Sequence, residues 1–137
     1  MTYAGDVTPA AAWRSLSDDP RAVLVDVRTR PEWTYVGLPD LRAVGKDVLQ
    51  IEWLTYPTGA VNDDFVAELS AAGVEPDQPV FFLCRSGVRS IAAAEAATAA
   101  GWTRSHNVLD GFEGPQSPDE RRTVAGWKVS GLPWVQA

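Results

Sequence analysis

One run constrains this chain more than any other: Val80-Phe81-Phe82-Leu83-Cys84-Arg85-Ser86-Gly87-Val88-Arg89-Ser90. Four apolar residues of strand type pass into a short polar loop, and an alanine-rich segment follows. The apolar run reads as a buried strand and the alanine-rich segment as a helix. Peptide N–H groups in a loop of this kind, with the start of the next helix, form an anion-binding cradle. Cys84 is the only cysteine and sits where the strand ends. Arg85 and Arg89 add fixed positive charge on either side. The thiolate is the reactive form of cysteine, and such surroundings favour it. The run therefore sets a nucleophile beside a pocket suited to an anion.

The remaining segments alternate strand and helix, which predicts an α/β domain with a mainly parallel sheet. Thr8-Pro9 supplies a cap and a first-turn proline for a helix over 9–17. Strands are predicted over 22–27, 48–53, 79–84 and 105–109, and a short helical turn over 31–35. A helix over 62–72 turns Phe65, Val66 and Leu69 inward and ends at Gly73. The helix over 89–100 carries Ala92, Ala93, Ala94, Ala96, Ala97, Ala99 and Ala100, so it packs close to the sheet and ends at Gly101. Gly111 and Gly114 mark turns, and a last helix is expected over 123–131. A nucleophile at the carboxyl end of a parallel strand is where open α/β sheets bind ligands.

Composition narrows the classes. A chain of 137 residues with 45% hydrophobic content is expected to form one domain over 1–137. No stretch approaches the roughly 20 apolar residues of a membrane span, so no membrane partner is expected. The start of the chain lacks a secretory pattern, and a cytoplasmic location is the default. A net charge of −6 disfavours nucleic acid. One cysteine permits no internal disulfide and no thiolate-rich zinc or iron–sulfur site. His106 reads as a surface histidine rather than a catalytic partner for Cys84. Arg89, at the helix start, reads as substrate-facing, and Arg85 as a second anion contact. Arg28 and Glu32 are expected to pair and fix the turn after their strand, with Asp26 accepting from loop amides. Trp33 and Trp53 are candidates for the pocket mouth, and Trp127 and Trp134 for seating the last helix.

The loop Cys84-Arg85-Ser86-Gly87-Val88-Arg89 resembles the six-residue active-site loop of rhodanese domains, the sulfurtransferases. Val23-Leu24-Val25-Asp26-Val27-Arg28 with Pro31-Glu32-Trp33 resembles the family's strand-Asp-x-Arg motif and its Glu-aromatic pair. Asn107-Val108-Leu109-Asp110-Gly111-Phe112 is similar to its last strand and glycine turn. Together these segments span about residues 6–134. A cysteine-dependent phosphatase or arsenate reductase fits less well. Phosphatase signatures put five residues between cysteine and arginine and a histidine before the cysteine; here four residues intervene and Leu83 precedes. Two departures from the rhodanese pattern stand out. The family's Gly-His-Ile-Pro-Gly-Ala segment is replaced by Tyr35-Val36-Gly37-Leu38-Pro39-Asp40, which keeps a glycine and a proline but no histidine. The stretch Trp53–Asn62 lengthens a connection beside the pocket, either as a wall or as a docking surface.

The resemblance implies a rhodanese-like fold with a mainly parallel five-stranded sheet and helices on both faces. It implies a sulfurtransferase in which Cys84 takes sulfane sulfur from thiosulfate or a persulfide and holds it as a persulfide. Arg85, Ser86, Gly87, Val88, Arg89 and Ser90 would bind the substrate through their amides, with a hydroxyl from Ser86. Without a second cysteine, an external thiol or cyanide must accept the sulfur, and no metal or organic cofactor is required. The alternative is a sulfur carrier that docks a sulfur-relay protein and turns over small donors poorly.

Overall fold

The computed structural model describes residues 2–114 and 126–135. Its central layer is a five-stranded sheet built from β1 (Gly5–Val7), β2 (Val23–Asp26), β4 (Leu49–Gln50), β5 (Val80–Leu83) and β6 (Ser105–Val108). The order across the sheet is β1-β6-β5-β2-β4, and every pairing is parallel. β5 lies in the middle, with Leu83 opposite Asp26 on one side and Phe82 opposite Asn107 on the other. The strand that delivers Cys84 is therefore held from both flanks.

Side-chain alternation divides the core into two layers. Val80, Phe82 and Cys84 join Val25, Phe65, Leu69 and Ala93, Ala94 and Ala97 on one face. Phe81 and Leu83 join Ala12, Leu16, Leu24, Val108 and Phe112 on the other. Helices α3 (Phe65–Ala71) and α4 (Val88–Ala99) cover the first face, and α1 (Pro9–Asp18) covers the second. A strand buried on both faces has no polar side to show, which is why β5 reads as an unbroken apolar run. The methyl side chains of α4 let its backbone approach the sheet, since no larger group must be accommodated.

The first four predicted helices and the central strands stand where the pattern placed them, with ends moved by a few residues. Thr8 caps α1 by accepting the Ala11 N–H at 3.0 Å. The strand expected over 48–53 is regular only over the two residues of β4, although the Ile51 and Trp53 N–H groups still donate to Asp26 O and Val27 O at 3.1 Å. The segment Gly5–Val7 is too short and polar for a strand pattern, yet it forms the edge strand β1. A second, two-stranded antiparallel pair, β3 (Leu38–Pro39) with β7 (Trp134–Val135), was not expected. The helix expected over 123–131 does not form in the described part. Residues 123–125 lie outside the described residues, and Gly126–Gly131 makes one turn closed by Ser130 N–H to Gly126 O at 2.9 Å. Two glycines in six residues weaken a helix there.

Candidate active site

Cys84 follows β5 directly and is 1% exposed. Its Sγ accepts the Gly87 N–H at 3.0 Å and lies 3.2 Å from the Ser90 hydroxyl. Gly87 makes this geometry possible: as the N-cap of α4 it adopts φ 117°, a left-handed conformation that side chains disfavour. The amides of the first turn of α4 have no carbonyl within their own helix to meet, so the thiol sits where unpaired N–H groups concentrate.

The loop's carbonyls are drawn to the other side. Phe112 N–H donates to Cys84 O at 2.8 Å, and the Glu113 and Gly114 amides donate to Arg85 O at 3.0 and 3.1 Å. Gly111 (φ 58°) brings this clamp into contact: a Cβ there would stand 2.7 Å from the Arg85 carbonyl. With the Cys84 and Arg85 carbonyls tied back, the loop presents the Gly87 N–H to the sulfur. That is the electrostatic arrangement a thiolate or persulfide needs.

Behind the sulfur runs a polar chain. The Ser90 hydroxyl donates to Asn107 Oδ1 at 2.6 Å, Asn107 Nδ2 donates to Asp6 Oδ1 at 3.0 Å, and the Tyr3 hydroxyl donates to the same oxygen at 2.7 Å. The Tyr3 and Asn107 hydrogen bonds hold the Asp6 carboxyl below its ordinary range. A carboxylate can only accept, so it fixes Asn107 with its amide toward Asp6 and its oxygen toward Ser90. Ser90, not Ser86, is the hydroxyl at the sulfur; the Ser86 side chain makes no hydrogen bond to the described residues. The i, i+6 spacing from Cys84 and one helical turn explain why Ser90 swings under the loop.

Two ion pairs flank the site, and neither is the expected one. Arg28 does not pair with Glu32. It is fully buried, bonds Asp26 through Nε and Nη2 at 2.7–3.1 Å, and donates to Gly37 O at 2.7 Å. That bond ties the strand end to the turn that replaces the family's histidine segment, where Gly37 packs against Val135. Asp26 also accepts the Arg28 N–H at 3.1 Å. Glu32, on α2 (Arg30–Tyr35), instead takes Arg89 in a two-pronged pair at 2.7 and 2.9 Å. It also accepts the amide and hydroxyl of Thr29 at 3.1 and 3.0 Å. Both side chains of the pair are 19% exposed. Burial pushes the Glu32 carboxyl up, but the Arg89 and Thr29 hydrogen bonds outweigh it and hold it at about 2 against an ordinary 4.5. Arg89 is pushed up by the same pair, and negative charge on Cys84 acts in that direction too. The Thr29-x-x-Glu32 spacing of a capping box was the sequence signal for Glu32.

The remaining candidates sit as follows. Arg85 is exposed, and its guanidinium has no partner among the described residues. Val88 is 77% exposed at the start of α4. His106 stacks on Phe81 at 5.0 Å, half-buried. It pairs in register with Phe81, three residues before Cys84, or about 10 Å down the strand, and takes no part in the loop. Trp33 is buried, and Trp53, partly buried, packs edge-on against Phe65. Trp127 is fully buried against Trp13 and donates to Pro133 O at 2.7 Å, and Trp134 lies edge-on to Phe112 in β7. The stretch after Trp53 folds back on itself through a Leu54–Val61 bridge and sets Tyr56 beside Arg30, Pro31, Thr34 and Tyr35 in a groove of about 290 Å³. Among the described residues, no cluster of His, Cys, Asp or Glu could hold a metal ion, and no helix is long and apolar enough to cross a membrane.

Comparison with known proteins agrees with this fold. Residues 4–137 match the family model described as the STR4 middle domain. Rv0390 of M. tuberculosis has a crystal structure that superposes with a TM-score of 0.90 at 55% identity, over 99% of this chain and 100% of that one. An uncharacterized protein of Rickettsia conorii is 38% identical over 94% of this chain and 95% of its own. The protein THYLAKOID RHODANESE-LIKE of Oryza sativa subsp. indica is 34% identical over 96% of this chain, which spans 25% of that relative. The homodimeric polysulfide-sulfur transferase of Wolinella succinogenes shares the fold, with a TM-score of 0.67 at 22% identity over 96% of this chain and 78% of that one. The chain belongs to the STR4 middle-domain family and is a rhodanese-like domain.

Proposed function

We propose that this protein is a sulfurtransferase that carries sulfane sulfur as a persulfide on Cys84. The observation that carries this reading is the placement of Cys84 Sγ: it receives the Gly87 N–H at 3.0 Å in a six-residue loop whose Cys84 and Arg85 carbonyls are tied away. The Cys84 thiolate attacks the outer sulfur of a donor, thiosulfate or a persulfide. The S–S bond forms as the donor's S–S bond breaks, and sulfite or a thiolate leaves with the electron pair. The loop amides from Arg85 to Ser90 hold the persulfide, and the Ser90 hydroxyl lies within reach of it. An external nucleophile, a thiol in the cell or cyanide in an assay, then takes the outer sulfur and restores the Cys84 thiolate. No organic cofactor or metal enters these steps, and a thiol-rich, cytoplasmic setting supplies the acceptor.

Turnover tests the reading. Wild type with a sulfane donor and cyanide should form thiocyanate, and Cys84→Ser should form none above the uncatalysed rate. Equal rates for the two would remove it. A carrier reading draws on a different observation: Tyr35 and Tyr56 are 76% and 62% exposed beside α2, which pairs with the loop through Glu32. Stoichiometric loading of Cys84 without repeated turnover favours that carrier.

A further inference from the structure

The Glu32–Arg89 pair changes what the loop can recognise. Two arginines flank Cys84 in sequence, yet they are electrostatically unequal. Arg89 is held by both oxygens of a carboxylate at 2.7 and 2.9 Å, in a pair 19% exposed on each side. Glu32 is itself fixed by the Thr29 amide and hydroxyl, so it cannot swing away without losing four hydrogen bonds. The nearby Arg28 is likewise neutralised by Asp26. Of the two loop arginines, only Arg85 keeps an unpaired guanidinium among the described residues. Among the described side chains of the loop, the one uncompensated charge is then that of Arg85, which lies exposed. A dianion must bring an extra charge into a half-buried site or break the fork, and both cost free energy where the effective dielectric is low.

We infer that Glu32 is a specificity-determining residue: by neutralising Arg89 it tunes the site to monoanionic sulfur donors, alkyl persulfides and thiosulfonates, over dianionic thiosulfate. The inference rests on the sulfur-transfer reading of Cys84. The reactions balance for either donor. A thiosulfonate gives its outer sulfur to the Cys84 thiolate and leaves as a sulfinate; thiosulfate does the same and leaves as sulfite. The bond made and the bond broken are of one kind, so the donors differ chiefly in charge. Glu32 acts through Arg89 and through the charge it cancels, without touching the sulfur.

Methanethiosulfonate and thiosulfate make the test, since a methyl group replaces one charged oxygen and the shape is nearly kept. kcat/KM for each donor is measured with cyanide as acceptor, and each is divided by that donor's rate with a small free thiol. Wild type should then prefer methanethiosulfonate by about tenfold or more. Glu32→Gln should raise thiosulfate relative to methanethiosulfonate by about tenfold, because Arg89 is released to face the donor. The double variant Glu32→Gln/Arg89→Gln should return to the wild-type ratio. Glu32→Asp, which retains the charge but breaks the fork, should shift the ratio the same way by a smaller factor, and it serves if Glu32→Gln is insoluble. A purely structural role for Glu32 would lower both donors together and leave the ratio unmoved. An unmoved ratio, or a fall in relative thiosulfate use in Glu32→Gln, overturns the inference while Cys84 chemistry stands. No turnover of either donor by wild type removes the sulfur-transfer reading, and this inference with it.

Discussion

The sulfur of Cys84 has two polar neighbours among the described residues, and they do different work. The Gly87 N–H is a backbone donor that no substitution short of proline removes. The Ser90 hydroxyl is removable, and it is shared with Asn107 Oδ1 at 2.6 Å. Ser90→Ala should slow persulfide formation by about tenfold at most, because the one hydroxyl hydrogen must leave Asn107 Oδ1 to meet a sulfur anion. It should also cost about 1–3 kcal/mol of stability, since Asn107 loses its donor in a buried site. Ser86→Ala should change the loading rate less than twofold and leave stability unaltered, because its hydroxyl bonds nothing described. Rapid-mix mass spectrometry and urea titration check both. Similar effects from the two serines would contradict the polar chain.

At the scale of elements, the loop depends on a segment distant in sequence. The clamp from Gly111 to Gly114 holds the carbonyls of Cys84 and Arg85, and Gly111 leaves no room for a Cβ. Gly111→Ala should therefore cost about 2 kcal/mol or more, with strain at positive φ added to a backbone collision. Persulfide loading should fall with it as the loop carbonyls turn back toward the sulfur. Thr8→Ala is the contrasting case. It removes the N-cap bond to Ala11 and should cost about 1 kcal/mol while leaving loading unchanged, because α1 lies on the sheet face opposite α4. Thermal melts read beside loading rates separate the two. The elements that sequence made legible are those with strong local signals: the apolar run of β5, the alanine stripe of α4, the Thr8-Pro9 start of α1. The hairpin of β3 with β7 and the edge strand β1 escaped because two or three residues carry no period, and long-range pairing alone makes them strands. The last helix was expected over 123–131, ending at Gly131-Leu132-Pro133, but glycine at 126 and 131 favours a closed turn.

For the whole molecule, charge pairing sets how stability follows pH. Burial pushes the His106 ring down from 6.5, so the unfolded chain takes up the proton first, and stability falls as pH drops through 6.5. Glu32 acts lower: its folded value of about 2 lies below the ordinary 4.5, so its contribution is present above 4.5 and is lost as pH falls toward 2. A melting profile from pH 8 to 2 should decline in both windows. His106→Gln should flatten the first and Glu32→Gln the second, and a variant that flattens neither contradicts the pairing assigned to it. The partners of the buried charges were the least legible part of the site. Asp26, Arg28, Glu32 and Arg89 all stand in readable motifs, but sequence proximity favours pairing Arg28 with Glu32. The fold instead gives Arg28 to Asp26 and brings Arg89 to Glu32 across 57 positions. Likewise Ser86 and Ser90 are equivalent on paper, and only the first turn of α4 decides which hydroxyl meets the sulfur.

The most direct test of the central claim is the intact mass of the protein after incubation with sulfane donors, thiosulfate and methanethiosulfonate, for wild type and Cys84→Ser. Wild type should gain about 32 Da with at least the monoanionic donor, reversed by cyanide, and Cys84→Ser should gain nothing. No gain on wild type from either donor, or an equal gain on the serine variant, would contradict a persulfide at Cys84.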